Sequence, residues 1–165
     1  DGSLAMLTVD FSNAFNMVDR SALLQEVRVR CPSISLRVEF LYGHAARLYL
    51  GDGHIMATAG VQQGDPLGPL LFALVLHPLI HKIRDNCNIL LHAWYLDDGT
   101  IIWDSEEVAK SLDTIRATGP GLGLHLNICK TEIFWPSCDE SKLREGLFPP
   151  TLGGRCLGEI AQRCC

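Results

Sequence analysis

The stretch from Asp65 to Arg84 constrains this chain most, because Leu70 to Leu76 is uninterrupted apolar sequence with Pro69 and Pro78 on either side. A helix that is apolar all round must be buried on several sides, so the segment is predicted to be mostly helical and central. The apolar run is far shorter than the roughly 20 residues that cross a bilayer, so it reads as core rather than membrane. With 165 residues, 47% of them hydrophobic and 20% charged, the composition suits one globular domain with a real core.

The flanking sequence says what that core packs against. Leu4 to Val9 is a short apolar run ending in Asp10, consistent with a buried strand. Ser21 to Arg30 has helical spacing at Leu24 and Val27 and stops at Pro32, and a second helix runs through Leu36, Phe40 and Leu41 to Gly43. Arg47 to Leu50 and His54 to Thr58, joined by Gly51-Asp52-Gly53, predict a β-hairpin. Ile89 to Tyr95 and Thr100 to Trp103 predict another, with Asp98-Gly99 as its turn signal. Asp104 and Glu107 resemble a capping box that opens a helix through Val108, Leu112 and Ile115, closed by Gly119-Pro120-Gly121. Thr131 to Trp135 reads as a last strand, and beyond Pro136 the pattern decays, with Pro149-Pro150 and Gly153-Gly154 leaving little to pack. This order predicts an α+β fold, an antiparallel sheet packed on helices.

Asp10 closes one apolar strand, and Asp97 and Asp98 sit at the tip of an apolar hairpin. Each has an ordinary explanation, Asp10 as a helix N-cap and the pair as turn chemistry. Three carboxylates beside buried sequence repel one another unless paired, and divalent cations relieve this with oxygen ligands. Two such ions about 4 Å apart can activate an attacking oxygen and stabilise a leaving one.

The surrounding residues narrow this choice. Tyr95-Leu96-Asp97-Asp98 between apolar strands resembles the Tyr-x-Asp-Asp box of reverse transcriptases. Thr8 to Phe15 resembles their first catalytic motif, an Asp followed five residues later by an aromatic. Gly60 to Phe72 resembles the Gln-Gly-x-Pro turn that enters an apolar helix, and Gly123 to Asn127 with Lys130-Thr131-Glu132 resembles the lysine-bearing motif. Four motifs in order over Leu4 to Trp135 give the style of a non-LTR, LINE-like retrotransposon, as expected in a plant genome.

The resemblance implies a polymerase palm and a role for each residue. Asp10, Asp97 and Asp98 would hold two Mg²⁺ or Mn²⁺ ions, and a primer 3′-hydroxyl would attack the α-phosphate of a deoxynucleoside triphosphate on an RNA template. Phe15 would be the steric gate against a ribose 2′-hydroxyl, with a core aromatic as the ordinary alternative. Gln63 with Gly64 would touch the incoming nucleotide and templating pair, and Phe11 falls in the same substrate-binding set. Lys130 would protonate or neutralise the leaving pyrophosphate, and Tyr95 would pack beneath the hairpin with its hydroxyl toward the primer.

Two further patterns read as structural: His77 and His81, spaced i and i+4 with Asp85 nearby, and the glycines at 119, 121 and 123, which form a connector. The family resemblance divides the chain into a palm at 1–135 and a diverged or truncated tail at 136–165 leading toward the primer grip and thumb. Leu147-Phe148-Pro149-Pro150 and Leu157-Gly158 echo that region, and Gly153 to Cys165 matches nothing familiar.

Charge fits the palm reading. The net charge is −5, the pI is about 5.6 and there is no basic run, which is awkward for a chain that grips phosphates alone. It is expected of a palm whose basic fingers and thumb are largely missing and, with the endonuclease, belong elsewhere on a parent polyprotein. The 7 cysteines form no Cys-x-x-Cys pair, so free thiols in a reducing, intracellular setting are expected, nucleus or cytoplasm. Neither signal peptide nor membrane span is visible. The rival readings are a catalytically inactive remnant and, against the wording around Phe15 and Tyr95, an RNA-templated RNA polymerase.

Overall fold

The structure is a computed structural model that describes residues 4–136, 141, 145–149 and 153–156. Its centre is strand β1 (Leu4–Asp10), whose alternation buries Ala5, Leu7 and Val9 and leaves Met6, Thr8 and Asp10 on the opposite, half-open face. That period of two is what a strand with one covered face requires. β1 pairs antiparallel with β5 (Asp98–Asp104) and with β6 (Glu132–Trp135), and β5 pairs antiparallel with β4 (Leu91–Tyr95).

Helices close the buried face. α1 (Ala14–Met17), α2 (Arg20–Arg30) and α3 (Pro32–Tyr42) follow β1. Asp19 caps α2 by accepting the Ala22 amide at 2.7 Å, and Pro32 occupies the first turn of α3, where its missing N–H goes unneeded. α4 (Gly68–Asn86) buries Leu71, Phe72, Val75, Leu79 and Ile83 between α2 and α5 (Ser105–Thr118), and α5 rests on β1 and β5. Each fully buried Leu or Phe contributes about 1.5–3 kcal/mol, so this interface holds the sheet and helices together. The α+β class and the centrality of the apolar helix agree with the sequence.

Local details depart from it. A hairpin of β2 (Ala46–Leu50) and β3 (Gly53–Ala57) forms its own two-stranded sheet, as expected. The turn of the β4–β5 hairpin is Leu96-Asp97, because Tyr95 pairs with Asp98 and Trp94 with Gly99. Gly99 is a strand residue whose hydrogen makes room for the Trp94 ring; a Cβ there would lie 2.6 Å from Trp94 Cε3. Asp104 does cap α5, accepting the Glu106 amide at 3.0 Å, but Glu107 accepts the Asn88 amide at 2.7 Å, so the capping box is replaced by a tie to the α4–β4 loop.

The region after Trp135 packs more than its composition suggests. Phe148 is buried and meets Trp135 edge-on at 5.9 Å, a pair worth about 0.5–1.5 kcal/mol beyond area. Strand β7 (Gly153–Cys156) adds to β6 in parallel, so the five-stranded sheet is antiparallel except at this edge. Leu157-Gly158 and the remainder of the tail lie outside the described residues. Among the described residues, no helix is long and apolar enough to cross a membrane.

Candidate active site

Backbone pairing assembles the carboxylates. Asp10 stands directly opposite Asp98 across β1 and β5, and Asp98 directly opposite Tyr95 across β5 and β4. Directly opposed residues share a face, so Tyr95, Asp98 and Asp10 form one row on the open side of the sheet. Asp97 occupies the adjoining turn, where Leu96 takes a left-handed φ of 55°. That conformation costs on the order of 1–3 kcal/mol, and Leu96 is held in it with its side chain packed on the core. Asp10 is not a helix N-cap, since Asn13 and Asp19 take the cap positions of α1 and α2.

The Asp10 environment suits a cation. Its Oδ1 is buried and has no hydrogen-bond partner among the described residues, while Oδ2 lies 3.9 Å from Lys130 Nζ. An ionised carboxylate can only accept hydrogen bonds, so this oxygen is open to a metal or a donor. A hard divalent ion takes oxygen ligands, and the carboxylates of Asp10, Asp97 and Asp98, at one sheet end, are the residues that could offer them. The side chains stand apart: among the described residues, no three carboxylate, imidazole or thiolate groups converge as a ready metal cage.

Lys130 reaches Asp10 because the segment before β6 runs along it. The Ser12 amide donates to His125 O and the Asn127 amide to Asp10 O, both at 2.8 Å, and Leu126 bridges Phe11. The Lys130 side chain is 70% exposed and has one carboxylate partner among the described residues, a pair worth little to stability.

The turn bearing Gln63 and Gly64 docks beside Phe15. The Val61 amide donates to Phe15 O at 2.7 Å and the Gly60 amide to Val18 O at 2.8 Å. Gly60 has φ 75°, and a Cβ would lie 2.6 Å from Asn16 Cα, so only glycine permits this approach. Gln63 and Gly64 are exposed. Phe15 stacks on Phe72 of α4, with ring centroids 4.6 Å apart and planes within 8°, which fixes the ring at the floor of the turn.

Two expected site residues sit elsewhere than predicted. Phe11 is 2% exposed and stacks with Trp94 at 6.3 Å, so its side chain supports the sheet from the core. Tyr95 is 79% exposed on the open face; Trp94, its neighbour, is the residue packed beneath the hairpin.

Three residues that sequence reasoning passed over hold the same turn. Arg20 donates to Gly60 O (3.0 Å), Ala57 O (2.9 Å) and His44 O (3.3 Å). The Tyr42 hydroxyl donates to Asp65 Oδ2 and accepts the Gln62 amide at 3.3 Å. Asp65 Oδ1 accepts the Leu67 amide at 2.9 Å. Asp65, next to Pro66, carries a turn signal in sequence; Arg20 and Tyr42 look like ordinary helix residues.

The rings of His77 and His81 stack at 3.9 Å, while Asp85 pairs with Arg84 at 3.0 Å, so no third ligand joins them among the described residues. Burial, then Arg30 and His81, hold the His77 pKa below 6.5, with Arg84 adding and Glu26 opposing. A histidine with a depressed folded pKa favours the native state above its unfolded pKa, and that contribution is lost as pH falls. The melting temperature is expected to drop as pH is lowered from above 6.5, and His77→Gln is expected to flatten this acid limb relative to the unmodified chain. Identical pH profiles would show that His77 titrates without consequence.

The fold and the carboxylate row define a polymerase palm. The chain belongs to the reverse transcriptase (RNA-dependent DNA polymerase) family, which it matches over residues 1–148. It is 31% identical over 140 residues to the Retrotransposable element SLACS 132 kDa protein of Trypanosoma brucei gambiense, spanning 80% of this chain and 12% of that one. It is 27% identical over 175 residues to the Pol polyprotein from type-1 retrotransposable element R2 of Nasonia vitripennis, spanning 96% of this chain and 17% of that one. These matches place it with retrotransposon reverse-transcriptase domains. Among solved structures, telomerase from Candida Tropicalis, in complex with a fragment of telomeric RNA, superposes with a TM-score of 0.62 at 14% identity, covering 78% of this chain and 25% of that one. Telomerase from Candida albicans gives 0.60 at 13%, covering 78% and 27%. At these identities the likeness is one of fold.

Proposed function

We propose that this chain is the palm of an RNA-directed DNA polymerase that adds deoxynucleotides to a primer 3′-hydroxyl on an RNA template. The observation that carries the reading is the Asp10–Asp98 row, with an Asp10 oxygen unpartnered among the described residues and Lys130 Nζ at 3.9 Å. Asp10, Asp97 and Asp98 would hold the Mg²⁺ or Mn²⁺ ions, which when bound polarise phosphate oxygens and lower the pKa of an attacking hydroxyl. Lys130, exposed and tied to a single carboxylate, can swing to the departing pyrophosphate and neutralise or protonate it. Phe15, braced by Phe72, would meet the sugar edge of the nucleotide, and Gln63 and Gly64 its base and backbone. Tyr95, on the same face as Asp98, would touch the primer.

The chain spans less than a fifth of the length of the two retroelement proteins it matches, so fingers, thumb and endonuclease are proposed for the parent polyprotein, with residues 136–165 leading from the palm toward the thumb. The plant source and a nuclear or cytoplasmic site of action rest on the family resemblance.

The test is primer extension on an RNA template with Mg²⁺ or Mn²⁺, comparing deoxy- and ribonucleotides in the unmodified chain and in Phe15→Val. Extension with deoxynucleotides is expected, with discrimination against ribonucleotides falling roughly a hundredfold in the variant, the scale on which an apolar wall rejects an added hydroxyl. Unchanged discrimination would remove Phe15 from the gate and reopen the RNA polymerase reading. Neither extension nor primer–template binding would establish the inactive remnant.

A further inference from the structure

A buried guanidinium needs a reason. Arg20 is 8% exposed, and burial lowers its pKa. Taking a charge out of water is unfavourable unless it is fully hydrogen-bonded. Here the partners are three backbone carbonyls: Gly60 O, Ala57 O and His44 O. They belong to both ends of the β2–β3 hairpin and to the first residue of the Gln63–Gly64 turn. The guanidinium carbon also lies 5.5 Å from the centroid of the Tyr42 ring, within cation–π range.

Tyr42 continues the chain of contacts. It is 1% exposed, donates to Asp65 and accepts from the Gln62 amide. Asp65 then accepts the amide of Leu67, the residue just before α4. The turn is thus tethered at Gly60, at Gln62 and at Asp65, while the residues between, Gln63 and Gly64, remain exposed. A Cβ on Gly64 (φ 89°) would meet nothing within 4 Å among the described residues, which leave the space beside it open. A turn fastened from below and open above has the construction of a binding element.

We infer that Arg20, Tyr42 and Asp65 are positioning residues that fix the 60–67 turn in the conformation that receives the incoming nucleotide. This rests on the polymerase reading for the identity of the ligand, whereas the tethering of the turn stands on the contacts alone. Arg20 anchors the base of the turn, Tyr42 sets the Gln62 amide, and Asp65 joins both to α4. None of the three touches substrate.

Two measurements test this in the full chain, with Tyr42→Phe, which removes one hydroxyl and keeps the ring, and Arg20→Lys, which keeps the charge but cannot reach three carbonyls. In amide hydrogen exchange, the Gln62 and Leu67 amides are expected to exchange roughly tenfold faster in each variant, with the β1–β5 amides unchanged. Loop amides that do not respond, or β1–β5 amides that accelerate equally, would overturn the network. In primer extension, the KM for deoxynucleotide is expected to rise roughly three- to tenfold in Tyr42→Phe, the worth of one hydrogen bond, with kcat within about twofold. A purely structural role would reduce the active fraction, hence the apparent kcat, and leave KM in place; that result would overturn nucleotide positioning. If the unmodified chain extends no primer, the polymerase reading fails, and the exchange result alone decides the network.

Discussion

Asp10→Asn is expected to reduce deoxynucleotide incorporation by at least about a thousandfold, the upper range for removing one preorganised electrostatic group, while leaving the fold as stable or slightly more so. The second half follows from geometry. Asp10 lies directly opposite Asp98 on one face, and its Oδ1 has no hydrogen-bond partner among the described residues. Like charges directly opposed across a sheet destabilise it by roughly 0.2–1 kcal/mol. The Lys130 contact at 3.9 Å is largely exposed and offsets little of this. A neutral amide of the same shape removes the repulsion, so the melting temperature should rise by up to about 3 °C for a domain of this size. Ligand linkage gives an independent sign: Mg²⁺ or Mn²⁺ should raise the melting temperature of the unmodified chain and not that of Asp10→Asn, because an ion that binds only the native state stabilises it. Activity within tenfold of the unmodified chain would end the proposed role of Asp10. A collapse in melting temperature would make that role structural.

The opposition of stability and chemistry at Asp10 also explains what the sequence could reveal. Strands ending on carboxylates, the apolar α4 and the glycine-bearing hairpin were legible because each depends on local periodicity or turn chemistry. That Asp10 and Asp98 become neighbours was legible only through motif resemblance; 98 − 10 = 88 residues separate them, and the register of β1 against β5 brings them together. Phe11 misled because its motif position says nothing of which face it takes; once Asp10 occupies the open face, the next residue turns to the core. Tyr95 lies on the open face, not beneath the hairpin, for the same reason, since a one-residue shift inverts every side chain on a strand. Arg20 and Tyr42 left no local trace, because their partners lie far off in sequence: Arg20 bonds backbone carbonyls, which carry no residue identity, and Tyr42 bonds the Asp65 carboxylate and the Gln62 amide.

Gly123 shows the same limit in a form that can be measured. In sequence the glycines at 119, 121 and 123 read as a connector, yet Gly123 has φ 76° and a Cβ there would crowd Met17 O and lie 2.6 Å from Asp19 N. The 3₁₀ turn Gly119–Leu122 is pressed into the α1–α2 junction, where the Asp19 amide donates to Leu122 O at 3.0 Å. Gly123→Ala therefore combines left-handed strain with overpacking, each about 1–3 kcal/mol, and a loss of about 3–5 kcal/mol is expected in urea unfolding at constant slope. Gly121→Ala is the control: its Cβ meets nothing within 4 Å and its backbone is not left-handed, so it should be neutral within about 0.5 kcal/mol, as surface substitutions are. The displacement would travel, because the residues after Gly123 run beside Asp10 through His125 and Asn127 to Lys130. Incorporation by Gly123→Ala, measured where the variant is still folded, should fall along with its stability, whereas Gly121→Ala keeps both. Equal stability of the two variants would return Gly123 to the status of a connector and detach the Lys130 segment from the α1–α2 junction.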